Sequence, residues 1–212
     1  MHFLLVNDDG IGSVGIMALM EAALKRGHRV SMCAPSGQMS AASHRITLSE
    51  PLYVKDYPLN RENAEGFAIT GTPADCVRLA FLGGLVAESV DGVISGINNG
   101  YNAGLATYYS GTVGAAREGA LLGHPAIAAS IDYKADPAHV QDAAELVLAV
   151  AEKYCQAPQD GFRVLNINVP DLPRARWGAP VYAPLSRATI RDGYERCYAD
   201  RPGTYFWLQA GC

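Results

Sequence analysis

The sequence predicts an α/β protein built on a doubly wound, Rossmann-like and mostly parallel sheet. Short apolar stretches alternate along the chain with segments whose apolar residues recur at helical spacing, and this alternation is typical of β–α–β units. Hydrophobic residues make up 49% of the 212 residues and charged residues only 18%, which suits a sheet covered on both faces. Because the first crossover is short, we expect parallel strands joined by right-handed connections.

The first predicted unit is a strand, a helix and a second strand. We expect the first strand at residues 3–6 and the second at 29–34, closed by Pro35. Between them Ile16, Leu19, Ala23 and Leu24 recur at helical spacing, and Gly27 is a typical residue for the end of that helix.

The alternation continues after residue 70. Thr72 is a typical cap residue, Pro73 takes the first helical position and Asp75 the third, so we expect a helix from here to about Leu82. The later elements, in order, are a strand at 90–97, a helix at 111–122, a strand at 126–129, a helix at 137–154 and a strand at 162–169.

The last part of the chain has a different composition. We expect residues 1–173 to form one Rossmann-like domain and residues 174–212 to form a C-terminal arm, with 181–182 and 204–208 as strands of a hairpin. The arm holds many aromatic residues in a segment with too little periodicity for its own core: Tyr182, Tyr194, Tyr198, Tyr205, Phe206 and Trp207. Since aromatic enrichment is typical of interfaces and a lone hairpin is marginal in water, the arm is a predicted oligomerisation element.

The composition excludes several classes of protein. The net charge of -4 and the pI of about 5.7 give no basic footprint for DNA or RNA. No apolar stretch has the length of a membrane span, and the N-terminus lacks the layout of a signal peptide, so we expect a cytoplasmic protein. The five cysteines are widely spaced without a Cys-x-x-Cys pair, which favours neither a zinc site nor a disulfide framework.

Four polar segments are predicted to meet at one edge of the sheet, where ligands bind beyond the carboxyl ends of parallel strands. They are Asn7-Asp8-Asp9-Gly10, residues 36–45, residues 98–102 and Tyr109-Ser110-Gly111-Thr112. Two adjacent carboxylates repel each other unless a cation or a hydrogen-bond network offsets the repulsion. Each segment alone is explained as a turn, a loop or a helix cap, so the prediction of a site depends on their convergence.

The side chains of these segments indicate one kind of chemistry. Carboxylates, amides and hydroxyls are hard oxygen ligands, suited to Mg²⁺, Mn²⁺ or Ca²⁺ rather than Zn²⁺. A helix that starts at Ser110 presents free backbone N–H groups to an anion. A cation beside an anion pocket is the arrangement that phosphoryl chemistry needs.

Five motifs, in order and spacing, resemble the SurE family over essentially the whole chain. They are Asn7-Asp8-Asp9-Gly10-Ile11, Ala34-Pro35 with Ser40 and Ile46-Thr47-Leu48, Gly71-Thr72-Pro73-Ala74-Asp75-Cys76-Val77, Ser95-Gly96-Ile97-Asn98, and Tyr109-Ser110-Gly111-Thr112-Val113. The resemblance implies a metal-dependent 5'-nucleotidase that hydrolyses nucleoside monophosphates, with 3'-nucleotides and short polyphosphate as further substrates. It also implies a homodimer or homotetramer with exchanged C-terminal arms.

By this resemblance, specific residues receive roles. The metal ligands are Asp8, Asp9, Ser40 and Asn98, which would hold one divalent ion per subunit, Mg²⁺ or Mn²⁺, with Ca²⁺ also able to bind. The catalytic residues are Asp8 and Asp9. The phosphate-side residues are Asn102, Ser110, Gly111 and Thr112.

Two alternatives stay open. A phospho-receiver switch also places an acid pair after its first strand, but it needs an aspartate after a central strand and a lysine after a later one; here those places hold Asn98 and Ser130-Ile131-Asp132. A nucleotide-binding module without chemistry is the other alternative, although the sequence has no Walker lysine motif. Within hydrolysis, an aspartate either activates a water or attacks phosphorus to form a phospho-aspartyl intermediate.

Overall fold

Seven strands form one twisted sheet in the order β3-β4-β2-β1-β5-β6-β7. The computed structural model describes residues 1–159, 161–187, 192–198 and 203–209. The strands of the large sheet are β1 (His2–Val6), β2 (Arg29–Pro35), β3 (Val54–Asp56), β4 (Ala64–Ile69), β5 (Gly92–Asn99), β6 (Ala126–Ile131) and β7 (Val164–Val169). The α-helices are α1 (Val14–Lys25), α2 (Pro73–Phe81), α3 (Gly111–Leu121) and α4 (Pro137–Gln156). All neighbouring strands are parallel except β3, which pairs antiparallel with β4.

Helices cover both faces of the sheet, so the predicted α/β class is confirmed. On one face α1 and α4 pack over an apolar cluster that includes Phe3 and Ile94, and on the other α2 and α3 pack over a cluster that includes Leu4 and Val93. Because successive strand residues point to opposite faces, β1 and β5 each contribute apolar residues to both clusters. β1 pairs with β2 on one side and with β5 on the other, which makes the gap between β1 and β5 the topological switch point where such sheets bind ligands.

Local signals set the helix ends that the sequence predicted. The Thr72 side chain accepts a hydrogen bond from the Asp75 N–H, and the Asp75 carboxylate accepts one from the Thr72 N–H, which is the reciprocal capping box. Helix α1 ends at a left-handed Gly27 with φ of 76°, whose N–H donates to Leu24 O, as helix C-termini favour.

The strands β3 and β4 were not predicted, and one strand of the arm was placed wrongly. The hairpin consists of β8 (Gly193–Tyr198) and β9 (Thr204–Gln209), paired antiparallel. The predicted strand at 204–208 is therefore confirmed, whereas Val181 and Tyr182 lie outside any strand. No helix among the described residues is long and apolar enough to cross a membrane.

Candidate active site

A cavity of about 270 Å³ opens at the switch point, at the carboxyl ends of β1 and β5. Two carboxylates stand in its wall, and amides, hydroxyls and two tyrosine rings complete it. The lining residues are Asp8, Asp9, Gln38, Ser40, Ala41, Asn98, Asn99, Asn102, Ala106, Tyr109, Ser110 and Tyr133. The four polar segments that the sequence singled out therefore do converge on one cavity.

The turn after β1 brings both acids to this cavity. The Asn7 amide donates to Gly10 O at 2.9 Å and to Ser13 Oγ at 2.7 Å, and it accepts from the Gly10 N–H at 3.2 Å. Gly10 has a φ of 100°, a conformation that favours glycine. The Asn7 side chain thus stabilises the turn by hydrogen bonds within it, and Asp8 and Asp9 line the cavity.

The start of helix α3 holds the Asp8 carboxylate. Asp8 is only 5% exposed, and its Oδ1 accepts a hydrogen bond from the Thr112 hydroxyl. A Cβ on Gly111 would lie 2.9 Å from Asp8 Cβ, so only glycine lets the carboxylate approach the helix this closely. The helix N-terminus that the sequence assigned to phosphate is therefore occupied in part by the protein's own anion, where its dipole is stabilising.

Asp9 is held less tightly. Its Oδ2 accepts from the Asn99 N–H at 3.1 Å. No Lys, Arg or His in the described part of the chain forms an ion pair with either acid. The acid pair is thus offset by hydrogen bonds and not by a protein cation.

Burial raises the pKa of both carboxyls above the ordinary value. For Asp8 the negative charge of Asp9 raises the pKa further, while the Thr112 hydrogen bonds oppose the shift. For Asp9 the Asn99 N–H opposes it. Two carboxyls that are costly to ionise together provide a strong preference for a bound cation.

Ser40 and Asn98 bring neutral oxygens to the same cavity. The Asn98 side-chain N–H donates to Gly100 O at 2.7 Å, which orients the amide and leaves its oxygen able to accept a ligand. Ser40 Oγ accepts from the Gln38 amide at 3.0 Å. The loop that carries Ser40 is attached to the acids, because the Met39 N–H donates to Asp8 O at 2.7 Å.

These residues fit a hard divalent cation. Among the described residues no group of three or more His, Cys, Asp and Glu side chains could hold a metal ion, so the site depends on two carboxylates supplemented by a hydroxyl and an amide oxygen. That donor set is typical of Mg²⁺ or Mn²⁺ sites, which complete their coordination with water and substrate oxygens.

The predicted phosphate-side residues divide into two groups. Asn102 and Ser110 line the cavity, whereas Gly111 and Thr112 lie behind Asp8 and are not among its lining residues. Ser110 Oγ accepts from the Val113 N–H at 3.0 Å, as an N-cap does. The Asn102 amide donates to Ser130 Oγ at 2.9 Å, so its place in the wall is fixed.

Several contributors were missed by the sequence reasoning. Tyr133 lines the cavity but lies outside the four predicted segments, and Asn166 and Asn168 of β7 both donate to Asn102 O. The two β7 asparagines have a period-2 spacing in an otherwise apolar strand, which is a signal for polar contacts on one face. Tyr133 has no comparable local signal.

Three glycines follow the acid pair. Gly10, Gly12 and Gly15 have the Gly-x-Gly-x-x-Gly spacing that is also found in dinucleotide-binding turns. Gly15 has a packing reason, since a Cβ there would lie 1.9 Å from Ile97 O. Two carboxylates immediately before this turn would repel a bare pyrophosphate, so the spacing alone does not indicate a dinucleotide site here.

Comparisons with known proteins agree with this geometry. The family model described as "Survival protein SurE" matches residues 3–192. A protein named 5'-nucleotidase SurE from Desulfitobacterium hafniense is 41% identical over 217 residues, covering 100% of this chain and 80% of that protein. A protein of the same name from Thermosipho africanus is 36% identical, covering 98% and 80%.

A solved structure supports the same assignment at the level of the fold. The crystal structure of the SurE protein from Aquifex aeolicus matches with a TM-score of 0.80 and 32% sequence identity, covering 99% of this chain and 82% of that one. The match extends over nearly the whole chain in sequence and in structure. The chain therefore belongs to the SurE family.

Proposed function

We propose that this protein is a metal-dependent 5'-nucleotidase that hydrolyses nucleoside monophosphates to nucleoside and phosphate. The observation that carries the proposal is the acid pair at the switch point, with Asp8 buried and Asp9 half-buried. Neutral oxygens flank the pair, and no cationic side chain in the described part of the chain forms an ion pair with it. Curated relatives about 40% identical are named 5'-nucleotidase SurE. The phospho-receiver alternative is not favoured, because Asn98 stands where the phospho-accepting aspartate is needed.

The metal site would use Asp8, Asp9, Ser40 and Asn98, with one ion per subunit, Mg²⁺ or Mn²⁺, and Ca²⁺ able to bind in their place. When bound, the ion would neutralise charge on the phosphoryl oxygens and lower the pKa of a water. Asp8 is fixed by Thr112, so it serves as a rigid anchor. Asp9, held by a single backbone N–H, keeps more lone pairs available.

The remaining residues bind and orient the phosphate. Ser110 is at the start of α3, where the helix dipole favours negative charge, and Asn102 is fixed in the opposite wall by Ser130. Two roles remain for an aspartate. It accepts the proton of the attacking water, or it attacks phosphorus itself. Trapping of a phosphoryl-enzyme from labelled substrate under single-turnover conditions separates these routes.

The first test is a substrate and metal panel on the purified protein. We expect chelation to abolish phosphate release from nucleoside 5'-monophosphates, and Mg²⁺ or Mn²⁺ to restore it. The 3'-monophosphates and short polyphosphate in the same panel test the wider substrate range. Full activity in chelator would contradict the metal assignment, and no hydrolysis of any monophosphate with any ion would contradict the function.

The division into a catalytic domain (1–173) and an oligomerisation arm (174–212) is a further part of the proposal. In the described part of the arm, β8 and β9 pair only with each other, and large apolar side chains of the hairpin are exposed: Tyr194, Tyr205, Phe206, Trp207 and Leu208. A second copy of the chain would cover them in a homodimer or homotetramer. Light scattering over a concentration series tests this, and a monomer throughout would contradict it.

The cytoplasmic location stays a prediction. Cys33, Cys76, Cys155 and Cys197 are free thiols, as is usual for proteins of a reducing compartment. Cell fractionation of the source organism with an antibody to the protein tests the location, and recovery outside the cytoplasmic fraction would contradict it.

A further inference from the structure

We propose that Tyr133 is the platform on which the nucleobase of the substrate stacks, and that it sets the preference of the site for nucleotides over simple sugar phosphates. This inference rests on the proposed nucleotidase function. Tyr133 follows strand β6 by two residues and lines the same cavity as Asp8 and Asp9. It belongs to none of the family motifs found in the sequence.

The size of the cavity places the base at its rim. A volume of about 270 Å³ is at or below the range of pockets that enclose a whole small molecule. The acids, Ser110 and Asn102 make the interior polar, which suits the phosphate and the ribose. A flat apolar base would therefore extend outward, and Tyr133 provides an aromatic surface there, with 65% of the residue exposed.

The backbone that carries Tyr133 is tied to the catalytic acids. The Lys134 N–H donates to the Asn99 side-chain oxygen at 2.8 Å, and the Asn99 N–H donates to Asp9 Oδ2 at 3.1 Å. The Tyr133 N–H donates to Asp132 Oδ1 at 2.7 Å. The backbone next to Tyr133 is thus linked to Asp9 through Asn99, which sets where the tyrosine stands relative to the reaction centre.

The ring itself is partly supported. The Lys134 ammonium lies 5.1 Å from the centroid of the Tyr133 ring, a cation–π contact that stiffens an exposed side chain. An ammonium occupies one face of a ring, so the other face can receive a base. Tyr109 is the second lining tyrosine, but its carbonyl accepts from the Ser43 N–H and it immediately precedes Ser110, which places it with the phosphate-binding turn.

The experiment compares two ligands that differ only by the base. We would measure kcat and KM for adenosine 5'-monophosphate, and KM for ribose 5-phosphate, or its Ki where turnover is slow, with saturating Mg²⁺ or Mn²⁺. The variants are Tyr133→Ala, Tyr133→Phe and Tyr109→Ala. Tyr53→Ala is the matched control, since Tyr53 is 64% exposed and lies outside the cavity.

We expect Tyr133→Ala to raise KM for adenosine 5'-monophosphate by about 5- to 20-fold, in the lower part of the range for base–aromatic stacking. Its kcat, and the constant for ribose 5-phosphate, should change less than twofold. Tyr133→Phe and Tyr53→Ala should behave like the parent. The preference for purine over pyrimidine monophosphates should narrow in Tyr133→Ala, because a larger base loses more stacking.

The results also separate this inference from the proposed function. If Tyr133→Ala weakens the binding of adenosine 5'-monophosphate and ribose 5-phosphate equally, or weakens neither, the stacking inference is overturned. A base-dependent loss in Tyr109→Ala alone would transfer the platform to that residue and overturn it too. If the parent protein hydrolyses no nucleotide at all, the nucleotidase proposal fails first.

Discussion

Replacing Asp9 by asparagine is the sharpest test of the acid pair as a metal site. The substitution removes one charge at nearly constant volume, and the asparagine oxygen can still accept from the Asn99 N–H. Helix α3 is untouched, because its contacts are with Asp8 and not with Asp9. Asp9→Asn therefore perturbs charge while leaving the turn in place.

The expected magnitude follows from linkage between binding and folding. At a metal concentration 100 times Kd, binding stabilises the parent by about 2.7 kcal/mol, which is roughly 5–11 °C in Tm for a chain of this size. Loss of a ligand weakens the affinity by about 10- to 100-fold. At the 100-fold limit the same metal concentration stabilises Asp9→Asn by only about 0.4 kcal/mol, or roughly 1–2 °C.

The metal-free protein should respond in the opposite direction. Burial raises the pKa of Asp9 in the folded state, so ionised Asp9 opposes folding. This cost is absent at pH values below the pKa of Asp9 in the unfolded chain, which is about 4. It grows as the pH rises towards the pKa of Asp9 in the folded protein, and it is fully present above that pKa. The charge of Asp9 also raises the pKa of Asp8. Asp9→Asn should therefore raise Tm in chelator at neutral pH and have little effect at acid pH.

The assay is thermal unfolding in chelator at several pH values, followed by titration with Mg²⁺ or Mn²⁺. Asp56→Asn is the matched control, since Asp56 is an exposed aspartate on the edge strand β3. It should leave both the metal-free Tm and the metal-induced shift as in the parent. A lower metal-free Tm in Asp9→Asn, together with an undiminished metal shift, would refute the reasoning.

Two further predictions concern the supports of the site. Thr112→Val removes the hydroxyl that lowers the pKa of Asp8, so the acidic limb of the pH profile of kcat/KM should move to higher pH. Thr112→Ser keeps a hydroxyl and should leave that limb where it is. An unmoved limb in Thr112→Val would contradict the role of this hydrogen bond. Glu118 is buried between Arg78 at 2.8 Å and His44 at 2.7 Å. Glu118→Gln should therefore lower the free energy of unfolding, measured by urea titration, by about 1.5–3 kcal/mol. A change below about 0.5 kcal/mol, the usual size for a surface substitution, would show that the contacts of Glu118 with Arg78 and His44 do not stabilise the fold.

Elements with local signals could be predicted from the sequence, and elements held by distant contacts could not. Helix α2 was found because its capping box lies within four residues. Strand β4 contains Glu65 and Gly66, which break the apolar pattern. Glu65 accepts from Ser31 Oγ at 2.5 Å, and a Cβ on Gly66 would lie 2.7 Å from Tyr57 O, so both residues make sense only once the neighbouring segments are in place.

The same distinction applies to the site. The acid pair and its loops were predictable because each lies at a strand end or opens a predicted helix. The partner of Asp8 was not, because Thr112 is 104 positions away and its position at a helix start also fitted an anion contact. The hairpin strand β8 was missed because Glu195 and Arg196 interrupt its aromatic residues.

The way Asp8 is held explains why a cation is needed for an anionic substrate. A helix start is a ready site for phosphate, yet here the Thr112 hydroxyl donates to Asp8 and the Val113 N–H donates to Ser110 Oγ. A phosphate that enters the cavity therefore meets two carboxylates while part of the nearest helix terminus is already satisfied. Hydrogen bonds hold the acids in place without cancelling their charge, and a divalent ion between acids and phosphate does cancel it. In the proposed enzyme α3 would thus position Asp8 as a metal ligand, and the metal would make the cavity attractive to phosphate.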